Sequence, residues 1–542
     1  MNKINISLLI ISFLCYSCSS FDREEGKSVF RYNEAANIST LDPAFAKDQA
    51  ITWAANQLFN GLVQLADQMK IVPCIARSWN ISESGLEYVF HLRNDVSFHE
   101  SKAFSDGKGR RVIAGDFVYS FRRIIDPAVA SPGVWLFNNL DRSMGIHAFE
   151  APDDSTFIIH LAKQFPPFLS LLSMQYCAVV PHEAIELYGP DFRRNPVGTG
   201  PFRFKMWKEG VKLVLLKNET YFEYERGVRL PFLDAVAITF VPDKQTAFLE
   251  FIKGNLDLMS GIDPTYKDEL LTGEGRLQAK YLSRINLITQ PYLNTEYLGF
   301  MVDASNKSIK GSITDKRIRQ AINLAFDRSK MIRYLRNNIG VPGCQGITPK
   351  GLPSFDSSRI YYDYDPAKAR QLLASAGFPD GEGLPPITLT STADYLDICK
   401  YIQHQVSSIG IVLKIEVSPP AAVKEMKSEA KLPFFRASWI ADYPDAENYL
   451  AMFYSRNFCP NGPNYTHFSN KEFDLLYEKS MASIDDLVRY TYYRQMENIM
   501  MEESPVVVLY YDQVLRFVQK NVHGLGSNAM NLLTLKYVKK SK

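Results

Sequence analysis

Long hydrophobic runs are scarce in this chain. Beyond residue 14 no segment approaches the about 18 consecutive apolar residues that a membrane-spanning helix needs. Charge of one sign is also lacking: 61 basic residues stand against 59 acidic ones, so there is no electrostatic footprint for nucleic acid and no polybasic membrane patch. Histidine is rare, with 8 residues and none in an HxxxH or HExxH spacing, and the cysteines beyond residue 18 (Cys74, Cys177, Cys344, Cys399, Cys459) form no CxxC. Zinc-ribbon, thioredoxin and zinc-peptidase patterns are therefore absent, and neither a metal nor a cofactor is expected. No GxSxG and no Walker A motif occurs. The Gly-rich "VGTGPF" at 197 has Pro201 where a phosphate-binding helix would start, and "GLGSNA" at 524 leaves no room for a βαβ unit. Asp442 and Asp445 could act as a glycosidase pair, but Pro444 between them breaks any regular spacing. An enzyme is therefore the weaker reading of these residues.

What is present is a chain of 542 residues, too long for one core, with two or three domains expected. It opens on "MNKINISLLIISFLCYSCSS", an apolar run from Ile4 to Leu14 that is too short to span a bilayer and reads as a secretory signal. Ser17 and Ser19 around Cys18 resemble the lipobox of bacterial lipoproteins, although Cys15 stands where that pattern has Leu. Residues 1–18 are thus expected to be a signal removed at a lipidated Cys18, since stable anchoring needs more than one acyl chain. The alternative is a plain cleaved signal with Cys18 discarded. Residues 19–27 read as a polar tether.

Strand and helix signals then alternate, which predicts an α/β class. "GLEYVFHLRNDVSF" places Tyr88, Phe90 and Leu92 at the two-residue period of a half-buried strand. "TWAANQLFNGLVQL" predicts a helix with Trp53, Leu58 and Leu62 on one side, and "TDKRIRQAINLAFDRSKMIRYL" another. In "DPAKARQLLASAGF", Pro366 sits at a first helical position and Gly377 at a C-terminal cap. The segment "FFRASWIADYPDAENYL", 434–450, begins as a buried strand and then sets Asp442 directly after it, six residues from Arg436. A carboxylate so close to apolar surface is costly without a positive partner.

Several stretches together resemble one family, the solute-binding proteins of peptide ABC importers, in particular the oligopeptide-binding branch. They are "LDP" at 41, "NQLFNGLVQL" at 56, "GLEYVFHLRNDVSFH" at 85, "GDFVYSFRRIIDPAVASP" at 115 and "PVGTGPF" at 196. They continue with "DKRIRQAINLAFDR" at 315, "YDPAKARQLLASAGF" at 364, "RASWIADYPDAENYL" at 436 and "EESPVVVLYY" at 502. Order is kept from about residue 28 to the C-terminus. One departure is "FHES" for the family's "FHDG", followed by the basic insertion "GKGRR".

The resemblance implies a periplasmic-binding-protein-like fold of the large type II class, with two α/β lobes closing on a buried ligand and an extra third lobe. Lobe I maps to 28–59, 195–292 and 512–542, the extra lobe II to 60–194, and lobe III to 293–511. It implies short peptides as ligands, permease subunits of an ABC transporter in the inner membrane as partners, a monomer, and residence in the periplasm or cell envelope. Asp442 would take the peptide's α-ammonium, while Ser438, Trp439 and Ile440 would pair with its backbone. Arg436 and Lys427 would meet its carboxylate. The loop from Ala46 to Gln49, with Lys47 and Asp48, would lie along the other edge, and one of Tyr510 and Tyr511 would line the pocket. Each residue has a plainer reading: Asp442 as a turn cap, Arg436 as the partner of Asp442 or Glu447, Lys427 as a solvated helix charge, and Trp439 as core. Two other functions stay open: a surface-exposed interaction protein or adhesin on the same fold, and a carrier of another solute such as a metal chelate, haem or a cell-wall peptide.

Overall fold

The computed structural model describes residues 26–263, 266–306 and 312–541. The signal 1–18 with Cys18, and residues 19–25 of the tether, lie outside the described residues.

Two long antiparallel strands organise the molecule, Ile285–Phe300 and Val506–Gln519. Val506 to Tyr511 are all buried, as expected of β-branched and aromatic residues covered on both faces. The pairing runs from Ile285↔Gln519 to Pro291↔Gln513, then shifts register before resuming at Thr295↔Tyr511. Pro291 has no N–H to give to a ladder, so the irregularity falls where the sequence cannot sustain pairing. On one side of this joint the sheet continues through Leu258–Ser260, Val29–Asn33, Ala235–Thr239, Lys212–Lys217 and Phe202–Lys208. On the other it continues through Phe434–Ile440, Ile387–Ser391 and Leu413–Val417.

The apolar interior divides in the same way. One core gathers Phe30, Trp53, Phe117, Phe202 and Leu533; a second gathers Leu298, Ile322, Phe434, Leu450 and Val507. The segment 60–194 has its own four-stranded sheet, which includes Glu87–Leu92 with its alternating burial. Its interior nevertheless runs without a break into the first core, through Leu58, Phe59, Phe98 and Phe121.

Two expected helices come out differently. The first spans Gln49–Leu58 only, capped by Asp48 Oδ1 accepting from Ile51 N at 3.0 Å. The chain then turns at Gly61 into the strand Val63–Leu65, and a side chain at 61 would press on the carbonyl of Cys177 at 3.1 Å. The second splits into Lys316–Leu324 and Arg328–Arg336, because Asp327 adopts extended backbone and caps the following turn through Lys330 N at 2.9 Å. Pro366–Ser375 starts after Asp365, and Gly377 follows it at φ +95°.

"VGTGPF" serves close approach rather than phosphate. Gly200 N donates to Leu58 O at 2.9 Å, and a Cβ on Gly198 or Gly200 would collide with the Leu58 backbone. In the basic insertion, Arg110 is held by Asp116 at 2.7 Å and Glu183 at 2.5 Å, so part of its charge is structural. Cys74, Cys177, Cys344, Cys399 and Cys459 are all buried free thiols.

Candidate functional site

The strand Phe434–Ile440 pairs along one edge with Ile285–Phe300, from Phe434↔Phe300 to Ile440↔Asn294. On its other edge Ile387–Ser391 meets it only at Thr390↔Phe435. Among the described residues, no strand covers that second edge from Arg436 to Ile440. Burial fades along it, from Phe434 and Phe435 in the core to Ile440 at 51% exposed. Asn448 then fixes the turn: its Oδ1 accepts from Trp439 Nε1 at 2.8 Å and from Asp442 N at 3.2 Å. Trp439 is thereby half-buried and anchored by its indole. The Asp442 side chain opens into the space between the lobes, while the protein walls around it desolvate the carboxylate and raise its pKa; hydrogen bonding to Asn448 works against that rise. Asp445 is occupied elsewhere, ion-paired with Arg489 and accepting from Tyr493 Oη at 2.8 Å.

Ile440, Ala441 and Asp442 line a cavity of about 480 Å³ together with Ala46, Lys47, Asp48 and Gln49. The loop and the strand end expected to flank a ligand thus border the same cavity. Burial pushes the Tyr176 hydroxyl up to about 12, and the charges of Asp442 and Asp48 both add to the shift, which places the two acids on one electrostatic patch. A second cavity, about 460 Å³, continues along the interlobe space and shares Gln49, Trp53, Tyr292 and Asn531 with the first. Four of its charged residues pair with one another, Lys244 with Asp263 at 2.8 Å and Arg336 with Asp512 at 2.9 Å. Glu34 also lines it, its pKa raised by burial and further by Asp48.

The expected cations are placed less simply. Arg436 pairs with Glu296, on the adjacent strand, rather than with Asp442 or Glu447. Its guanidinium lies 3.1 Å over the Tyr395 ring, and its buried Nε has no partner. The Glu296 carboxyl is raised by burial, against the pull of Arg436. Ser438 is half-buried opposite Glu296 in the ladder. Lys427, at the end of the helix Pro420–Ser428, sits 4.4 Å over the Tyr465 ring. Burial brings it down to about 8, helped by the nearby charge of Arg436, so it is not a freely solvated charge.

Tyr510 and Tyr511 are each 1% exposed. Tyr511 donates to Gly346 O at 2.7 Å inside the second core, and Tyr510 packs under Arg336, 4.3 Å from its guanidinium. Neither lines the two cavities. The strand alternation that predicts one exposed face fails because both faces of this central strand are covered. Sequence reasoning missed Glu34, Tyr292, Glu296, Arg336 and Asp512. Only packing between segments far apart in the chain marks them; Arg336 and Asp512 lie 176 residues apart.

The chain matches the family profile described as bacterial extracellular solute-binding proteins, family 5 middle, over residues 70–458. Heme-binding protein A of Haemophilus influenzae is 28% identical over 83% of this chain and 81% of its own length. The glutathione-binding protein GsiB of Salmonella choleraesuis is 26% identical over 90% of each chain. The periplasmic binding protein DppA of Helicobacter pylori, solved with the peptide STSA, superposes with a TM-score of 0.73 at 26% identity, covering 95% of this chain and 98% of its own. HbpA2 of Haemophilus parasuis shares the fold with a TM-score of 0.81, covering 95% of this chain and 100% of its own, at 22% identity. With most of its length inside that profile and a cleft between two lobes joined by paired strands, the chain belongs to the bacterial extracellular solute-binding proteins of family 5.

Proposed function

We propose that this protein captures short peptides in the interlobe cleft and delivers them to the permease of an ABC importer. The observation that carries the reading is the uncovered strand edge of Arg436 to Ile440, leading to Asp442. Unpaired N–H and C=O groups along that edge can take an extended main chain as an added strand, which gives affinity without reading side chains. Asp442, desolvated and without an ion-pair partner among the described residues, suits the α-ammonium of such a guest. Arg436 spends part of its fork on Glu296; its remaining N–H groups, with Lys427 nearby, suit the far carboxylate. The peptide-bound DppA supports the ligand class.

Hinge closure about the joint at Pro291–Thr295 would bring Lys47 and Asp48 onto the guest's other edge. Export with a lipid anchor on Cys18, residence in the periplasm and a monomeric state complete the proposal; no helix among the described residues is long and apolar enough to cross a membrane. Native mass spectrometry of the purified protein tests the ligand class, because a scavenger retains what it captured. Co-purified peptides, released on denaturation, are expected. Haem or a metal chelate in their place would refute the peptide reading.

A further inference from the structure

The tether leaves the folded body at Ser28, whose N donates to Asp234 Oδ2 at 2.7 Å while Asp234 N returns a bond to Ser28 O at 2.9 Å. Just before Asp234 in the chain is a small antiparallel ribbon, Tyr224–Glu225 with Val228–Arg229, turning at Arg226 and Gly227. Only five residues separate Arg229 from Asp234, so the two lie within about 17 Å of each other. The C-terminal segment packs at the same place. Phe232 N donates to Lys536 O at 3.4 Å, Lys539 Nζ sits 3.8 Å from the Phe232 ring, and Lys540 Nζ donates to Val29 O at 2.9 Å. Among the described residues the ribbon joins no larger sheet. It exposes one apolar side chain on each face, Tyr224 at 54% and Val228 at 55%.

The charge around this ribbon is positive. Arg226, Arg229 and Lys539 have no ion-pair partner among the described residues, and the ribbon's one acid, Glu225, is half-buried. Other nearby charges are already offset: Lys536 by Glu223 at 2.5 Å, Lys540 by Asp257 at 2.8 Å, Glu219 by Lys217 at 3.7 Å and Asp95 by Arg93 at 2.7 Å. A tyrosine ring under an arginine, an exposed valine and unpaired cations suit the headgroup level of a bilayer, where rings and aliphatic groups enter the interface and cations meet phosphate. We propose that this face rests on the anionic phospholipid surface of the membrane that holds the lipid anchor. The inference rests on the reading that Cys18 is lipidated, since residues 19–27 then keep Ser28 within about 35 Å of that membrane. Two exposed apolar side chains bind a bilayer weakly alone. The tether raises their effective concentration, so the contact orients a body that is already anchored.

Vesicle sedimentation tests the face apart from the anchor. The mature body, residues 19–542 secreted without lipid, should sediment with phosphatidylethanolamine–phosphatidylglycerol vesicles at low salt and come off at high salt. It should stay free of phosphatidylcholine vesicles. Arg226→Gln combined with Lys539→Gln, both at exposed positions, should lower the partitioning roughly 25-fold, about fivefold for each cation removed. An environment-sensitive dye on the thiol of Val228→Cys should shift to the blue on the anionic vesicles; Cys74, Cys177, Cys344, Cys399 and Cys459 are buried, so the label goes to position 228. Equal sedimentation with both lipids, partitioning untouched by the double variant, or a dye that does not respond overturns the membrane face and leaves the anchor standing. A native chain whose mass shows no acyl chains on Cys18 overturns the anchor, and the orientation proposed here with it.

Discussion

Replacing Asp442 by Asn keeps the shape of the cleft and removes one charge. The carboxylate opens into the cleft, has no ion-pair partner among the described residues and carries a pKa raised by burial. It is therefore placed to make a charge-assisted bond with a guest rather than to hold the fold together. Such a bond contributes about 2–3 kcal/mol, so Asp442→Asn should weaken tripeptide binding roughly 30- to 150-fold. Acetylating the tripeptide's amine in the wild type should cost a similar factor. The two losses should not add, because each removes the same contact. Stability should move the other way. A carboxyl raised in the fold holds its proton more tightly there than in the unfolded chain, so its stabilising effect is present at low pH and lost as pH rises through the raised value. At neutral pH the variant should unfold at a slightly higher temperature than the wild type. Calorimetry of the four protein–ligand combinations decides the matter: affinities within twofold of one another, or losses that multiply, would refute the role assigned to Asp442.

The Arg436–Glu296 pair is buried, at 13% and 3% side-chain exposure, so Glu296→Gln should cost about 3–5 kcal/mol in urea unfolding; an unchanged midpoint would contradict its structural role. Arg123 grips Asp42 at similar depth and ties segment 60–194 to the loop before the first helix, so Asp42→Asn should destabilise by a comparable amount. Glu497 is buried, accepts from Thr348 N at 2.9 Å and is raised by desolvation to about 7. Stability should therefore climb as pH falls from about 7 toward 4.5, and Glu497→Gln should flatten that window; a wild-type melting curve level across it would count against the assignment. Gly200→Ala should destabilise strongly, because the new Cβ meets the backbone of Leu58, and an unchanged thermal midpoint would show that the turn can yield.

Local chemistry made the elements legible. Asp365 and Pro366 start a helix, Gly377 stops it, and the alternation of Tyr88, Phe90 and Leu92 makes a half-buried strand, because capping and side-chain period act over a few residues. The same locality made Asp442 conspicuous, since an acid directly after a buried strand calls for an explanation wherever the chain goes. Helix ends were less legible. The helix from Gln49 stops at Leu58, short of Leu62, because the chain must turn against the Cys177 carbonyl, and the 316–336 run breaks because Asp327 caps better than it continues.

By itself, then, the sequence determined an α/β chain, most of its elements and one acid at the end of a strand. Tertiary structure decided what that acid faces and what Arg436 holds. Glu296 reaches Arg436 only because two strands lie side by side, Tyr510 and Tyr511 sink into the core because both faces of their strand are covered, and Arg336 finds Asp512 across 176 residues. Caps and periodicity are set by near neighbours along the chain, whereas charge partners and cavity walls are set by packing between segments far apart in it.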